Sequence, residues 1–252
     1  MYENVCYRKN NIAEVICRLD FANPVDPFDR TMPKNVYAAV KKYYPIAEPQ
    51  EIIGNMLQVN PVTGPIVNNI VKKQWVFWAR DRKSNCQIDS MSVVFSVKRY
   101  TVFEDVRNAV LDIMKAVLML DEKYQGRRLG LRYINMLPMH GHENWIAKQF
   151  YNAFAAHKDD QTIRLITQLE YVAQDKDLHV KLQYGYPNPD YPAVMKNEVF
   201  TIDIDAFSQG LIYEDDVESM IDNMHTEVQN CFEKMITNDY RNELNIEESI
   251  DE

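Results

Sequence analysis

Two aspartates, Asp203 and Asp205, stand two residues apart in the stretch Phe-Thr-Ile-Asp-Ile-Asp. Strand alternation puts both carboxylates on one face and Ile202 and Ile204 on the other. Paired carboxylates can hold Mg²⁺ or divide acid and base roles, so a metal-dependent hydrolase centred on this pair is one reading. The plainer reading has arginine neutralise them. Arg132 and Arg128, from a strand predicted over residues 129–137, are the candidate partners, and we expect a charge-assisted pair between Arg132 and Asp203 or Asp205. Asn135, on the same strand, joins Arg132, Asp203, Asp205 and His225 as a candidate binding residue.

The remaining chemistry-bearing residues point less firmly. His225 flanks the apolar stripe of a predicted helix, where a packed imidazole with one satisfied nitrogen is commoner than a base. His140 and His142 would need a third ligand to hold a metal, and nothing in the spacing supplies one, so no metal site is assigned. Ser90, Ser92 and Ser96 lack a neighbouring base or an elbow motif. Basic and aromatic residues mix at Arg80, Arg82 and Lys83 beside Trp75 and Trp78, and again at Lys98, Arg99 and Tyr100. Such mixtures can neutralise phosphates and stack on bases, so the basic N-terminal half offers a nucleic-acid alternative.

Composition narrows the classes. Only 7 of 252 residues are Gly, and neither a phosphate loop nor a dinucleotide fingerprint is found. No cofactor is implied. Apolar residues at 46% and charged residues at 26% are ordinary for a globular chain. No apolar run reaches membrane-spanning length, and the first residues lack signal-peptide order, so no membrane partner and a cytoplasmic location are expected. Cys6, Cys17, Cys86 and Cys231 show no paired spacing and read as free thiols in a reducing compartment. Charge is uneven: residues 1–138 hold 20 Lys+Arg against 14 Asp+Glu, a net of +6, whereas residues 139–252 hold 8 against 23, a net of −15. This split suits a two-fold homodimer, a further protein partner or an anionic one.

The elements that must position these residues follow from periodicity. Alternation over 14–21 predicts a half-buried strand, and Pro33 can open a helix running to about residue 44. A short helix is expected at 51–57, inside a proline-bearing connection. Residues 75–79 and 91–97 read as a long hairpin. Thr101 and Glu104 have capping-box spacing before a helix to about 124. Strands are predicted over 129–137, 163–173, 178–184 and 199–207, with helices at 143–156 and 214–236. The acidic tail, 239–252, is expected to fray. Seven strands with mostly antiparallel connections give an α+β fold, with long helices on one face of the sheet or sheets. A hairpin-plus-helix unit near 75–124 and again near 178–236 suggests an internal duplication. The chain then reads as one α+β unit, 1–252, built from pseudo-repeated halves at about 1–138 and 139–238.

Three blocks carry a resemblance. Asn11-Ile-Ala-Glu-Val-Ile-Cys-Arg-Leu-Asp-Phe21, Gly130-Leu-Arg-Tyr-Ile-Asn135 and Phe200-Thr-Ile-Asp-Ile-Asp205 are followed by Met224-His225 and Phe232-Glu-Lys-Met-Ile-Thr237. Their order and spacing, over about residues 7 to 241, resemble a sporadically distributed, largely uncharacterised prokaryotic protein family. The diproline often found before that family's first strand is missing, and residues 45–69 match no part of it. The resemblance transfers no active site. It implies a cytoplasmic prokaryotic accessory protein and, by the patchy distribution of such genes, an association with mobile or defence loci. With the absence of a catalytic motif, this makes a non-enzymatic interaction or regulatory subunit the leading expectation.

Overall fold

The computed structural model describes residues 6–60, 64–139, 142–155, 163–173, 177–195 and 198–245. Among the described residues the fold is α+β, a ten-stranded antiparallel sheet with five α-helices. Strand β1 (Ile12–Phe21) buries Val15, Cys17, Leu19 and Phe21 on one face, as its alternation requires. Helix α1 (Lys34–Tyr43) follows Pro33, whose fixed φ suits a helix start. Next come β2 (Ile46–Ala47), β3 (Gln50–Asn60), β4 (Gly64–Trp78), β5 (Ser84–Ile88) and β6 (Ser92–Val97). Helix α2 (Phe103–Leu118) leads to β7 (Gly126–Pro138) and α3 (Lys148–Ala155). Strands β8 (Leu165–Ala173), β9 (Leu178–Tyr186) and β10 (Val199–Ile212) precede α4 (Asp216–Met235) and α5 (Asn238–Leu244). Spatial order is β2-β4-β5-β6-β1-β7-β10-β9-β8, with β3 paired to β4 alone.

Register fixes which side chains share a face. One row runs Phe77, Cys86, Phe95, Cys17, Leu131, Ala206, Val180 and Tyr171 across eight strands. All but Tyr171 are buried. The adjacent row runs Trp78, Asn85, Ser96, Ile16, Arg132, Asp205, Lys181 and Glu170, and projects from the opposite face. Helix α4 packs on β7 and β10, α2 contacts β6 and α4, and α1 packs on α2. The helices supply the other half of the core through Val106, Val110 and Ile113 of α2 and Val217, Ile221, Met224 and Val228 of α4. At Gly185, where φ is +132°, a Cβ would meet the Leu165 carbonyl oxygen at 2.3 Å, so glycine permits the close approach of β8.

Several expectations are corrected. Residues 51–57 lie in β3, not a helix: Gly54 and Asn55 favour helix poorly, and the β-branched run in β4 offers a partner strand. The long hairpin is a three-stranded meander, because β5 intervenes between β4 and β6. Thr101 Oγ1 donates to Asp105 Oδ2 at 2.9 Å instead of forming the capping box. Helix α2 stops at Leu118, and Asp121 Oδ1 accepts the Lys123 N–H at 3.1 Å, a local turn that competes with further helix. The helix expected over 143–156 is broken, because Ala147 N–H donates to Met235 O and Thr237 N–H to Trp145 O. The start of the acidic tail is ordered. Thr237 caps α5, Tyr240 and Leu244 are buried, and Arg8 and Lys9 N–H groups bond to its end. Residues 246–252 lie outside the described residues.

Part of the charge split is met within the chain. Lys9 pairs with Glu243, Arg107 with Asp222 and Glu218, Lys115 with Glu218, Arg128 with Asp205, and Arg132 with Asp203. Each joins a cation of the basic portion to an acid of the acidic one. These pairs need no second copy of the chain.

Candidate functional site

Asp203 and Asp205 do share the charged face, and each is taken by an arginine. Arg132 Nε donates to Asp203 Oδ1 at 2.7 Å, with a second bond from Nη2 to Oδ2. Arg128 Nη2 donates to Asp205 Oδ2 at 3.0 Å while its guanidinium lies over the Phe207 ring. Burial pushes the Asp205 carboxyl up, against the pull of Arg128 and Arg132. Carboxylates already gripped by guanidinium groups are poor metal ligands, and no metal-binding cluster occurs among the described residues.

Asn135 and His225 meet elsewhere. They line a cavity of about 550 Å³ between β7, the start of α2, the middle of α4 and the N-terminal segment. Helix α4 presents two adjacent stripes. Val217, Ile221, Met224, Val228, Cys231 and Met235 are buried, while Asp222, His225, Thr226, Gln229, Phe232 and Glu233 line the cavity. From β7 come Tyr133 and Asn135, two apart and thus on one face, and from α2 come Phe103, Glu104 and Arg107.

The imidazole of His225 stacks on Phe103 with centroids 3.7 Å apart, and its Nδ1 lies 3.2 Å from the Tyr133 hydroxyl. The Tyr100 and Tyr133 rings pack edge-to-face with centroids 5.6 Å apart. Burial lowers the His225 pKa to about 4, although the Glu104 and Asp222 carboxylates oppose this. Burial also pushes Tyr100 up to about 12 and Tyr133 well above the ordinary phenol range. All three are therefore neutral near pH 7. Asn135 Nδ2 donates to Ile202 O at 3.4 Å, which orients the carboxamide.

Glu104, Arg107, Asp222 and Glu233 bring charge to the cavity lining. Arg107 Nε and Nη2 grip Asp222 at 2.6 and 2.8 Å and so tie α2 to α4. At the other end the buried Glu233 accepts from Tyr7 OH at 2.6 Å and from Arg241 Nε at 2.7 Å. That triad joins the N-terminal segment, α4 and α5.

The other sequence candidates fall outside this cavity. Arg80, Arg82, Lys83, Lys98 and Arg99 are exposed around the β4–β5 turn, brought together by the Lys98 N–H to Lys83 O bond. Two are already engaged, Arg82 with Glu48 at 2.6 Å and Arg99 with Asp81 at 3.8 Å. Trp75 is held by its Nε1–H to Phe28 O. His142 stacks on Trp145, and His140 lies outside the described residues. Cys17, Cys86 and Cys231 are buried thiols.

Sequence reasoning named His225 and Asn135 separately, read Tyr100 only as a stacking residue beside Lys98 and Arg99, and missed Tyr7, Phe103, Arg107, Tyr133 and Glu233. The available signal was the second, polar stripe of α4 beside its apolar one. No protein-family model matches the sequence, and no curated protein does either. Among the described residues, no helix is long and apolar enough to cross a membrane.

Proposed function

We propose that this protein is a non-catalytic binding or regulatory subunit whose cavity takes a small, flat, uncharged ligand rich in hydrogen-bonding groups. The observation that carries the reading is the cluster of His225, Tyr100 and Tyr133 in the cavity wall, all neutral near pH 7. Proton-transfer catalysis works best with a group that titrates near the working pH. Here burial moves His225 to about 4 and Tyr100 to about 12, which suits them to fixed donor and acceptor roles. Aromatic walls at Phe103, Tyr100 and Tyr133, with a few convergent polar groups, fit an aromatic amide or free nucleobase.

In this reading the helices gather on one face of the sheet, the charged face is left open to a protein partner, and β5-β6-α2 and β9-β10-α4 are two copies of a hairpin-plus-helix unit. The family resemblance supports a cytoplasmic prokaryotic assembly of the defence-associated kind. The test is ligand-observed NMR with free adenine, guanine, cytosine and uracil, on wild type and on Asn135→Ala and Tyr100→Ala. Binding by at least one base, lost in both variants, is expected. No binding at millimolar concentration, or binding indifferent to both substitutions, would overturn the reading.

A second reading, nucleic-acid binding, has the clustering of Arg80, Lys83 and Lys98 at one turn in its favour. It requires oligonucleotide affinity that falls steeply with salt and weakens in the triple alanine variant.

A further inference from the structure

Strand β8 ends the sheet, and among the described residues nothing pairs with its outer edge. Edge strands are usually protected by charge, proline, brevity or a bulge. This one runs nine residues, pairs with β9 without a register break, holds no proline, and carries Glu170 as its single charge. It also exposes apolar side chains on both faces. Ile166 is 43% exposed and Val172 52% on the charged face, and Leu169 is 50% exposed on the apolar face. An unpaired backbone edge flanked by apolar side chains above and below favours addition of another strand.

We propose that β8 is a homodimerisation edge, pairing antiparallel with β8 of a second copy about a two-fold axis at Leu169, so that one sheet continues through both protomers. The sequence selects this occupant and this register. A two-fold perpendicular to the sheet keeps the apolar faces of both copies on the same side only when residues of equal parity face each other. With the axis at Leu169, Ile166 meets the partner's Val172, Gln168 meets the partner's Glu170, and Leu169 meets its own mate. Exposed apolar groups are thereby matched on both faces, and neither carboxylate faces another. Moving the axis one residue forward sets Glu170 against its mate, a like-charge pair. Moving it one residue back sets Ile166 against the partner's Glu170. A closed two-fold also leaves no second copy of this edge to propagate a fibre. The pairing is independent of the ligand reading, because the cavity lies away from β8 and shares no residue with it.

The test uses sedimentation equilibrium on the full chain with three exposed-site substitutions, each checked for an unchanged circular dichroism spectrum and melting temperature. Wild type is expected to dimerise at tens of micromolar. Gln168→Glu, which sets like charges against Glu170 twice per dimer, should raise the dissociation constant about 2- to 30-fold, and Gln168→Lys should lower it by a similar factor. Leu169→Lys, which puts two cations on the axis, should give monomer. A monomeric wild type at tens of micromolar would overturn the proposal. So would a dimer that ignores all three substitutions, since it would use another surface. Co-purification from the native host of a different polypeptide that blocks self-association would also overturn it.

Discussion

Replacing His225 by Gln should flatten the acid side of the protein's stability profile. In the folded chain burial holds this imidazole near pKa 4, whereas in an unfolded chain it titrates near 6.5. Between those values the unfolded state binds a proton that the folded state refuses, so stability falls as pH drops. Above about pH 6.5 the group contributes no pH dependence, and below about 4 the loss levels off. The gap corresponds to a loss of about 2 kcal/mol at pH 5 and about 3 kcal/mol at pH 4. Its neighbours define the background: the Tyr133 hydroxyl at Nδ1, the Phe103 ring beneath, and the Glu104 and Asp222 carboxylates that favour protonation. Other acid-titrating groups are common to both proteins and cancel in the difference. The assay is urea unfolding of wild type and His225→Gln at about pH 7.5, 6, 5 and 4. Wild type should lose about 2 kcal/mol more than the variant between pH 7.5 and 5. Parallel profiles, within about 0.5 kcal/mol, would refute the claim that His225 is kept neutral by burial.

Glu233→Ala should destabilise by about 3–5 kcal/mol, because it leaves the Arg241 guanidinium and the Tyr7 hydroxyl without their buried acceptor. Glu233→Gln should lose less, and a melt that moves Glu233→Ala by under about 1 kcal/mol would show the triad to be incidental. Phe95→Ala, in the middle of the buried row between Cys86 and Cys17, should cost about 3–5 kcal/mol in denaturant melts, with a loss below about 1 kcal/mol inconsistent with its burial.

What was legible in the sequence was whatever depends on a short local period. Alternation identified β1, β9 and β10, and the spacing of Val217, Ile221, Met224 and Val228 identified α4. On the apolar faces of their elements, Val93, Phe95, Val106, Val110, Ile113, Ile202, Ile204 and Met224 are buried, and Phe232 is half-buried at the cavity. Asp203 was expected to find Arg132, and it does, because acids on an otherwise apolar strand need a neutralising partner. Residues 51–57 were misread because a single apolar run without its partner strand does not declare its period.

Sequence alone determined the elements with a clear local period, such as β1, β9, β10 and α4, the apolar face of each and the need of Asp203 and Asp205 for cations. The tertiary structure decided everything that depends on strand order. It set β7 beside β1 and β10, and so brought Asn135 and Tyr133 under His225, 90 and 92 residues away in the chain respectively. It also decided that Arg107, Arg128 and Arg132 of the basic portion meet acids of the same chain, and it left β8 at an edge. The physical reason is the same in each case. Side-chain periodicity is a property of neighbouring residues, whereas pairing order is chosen by the burial and hydrogen bonding of whole strands far apart in sequence.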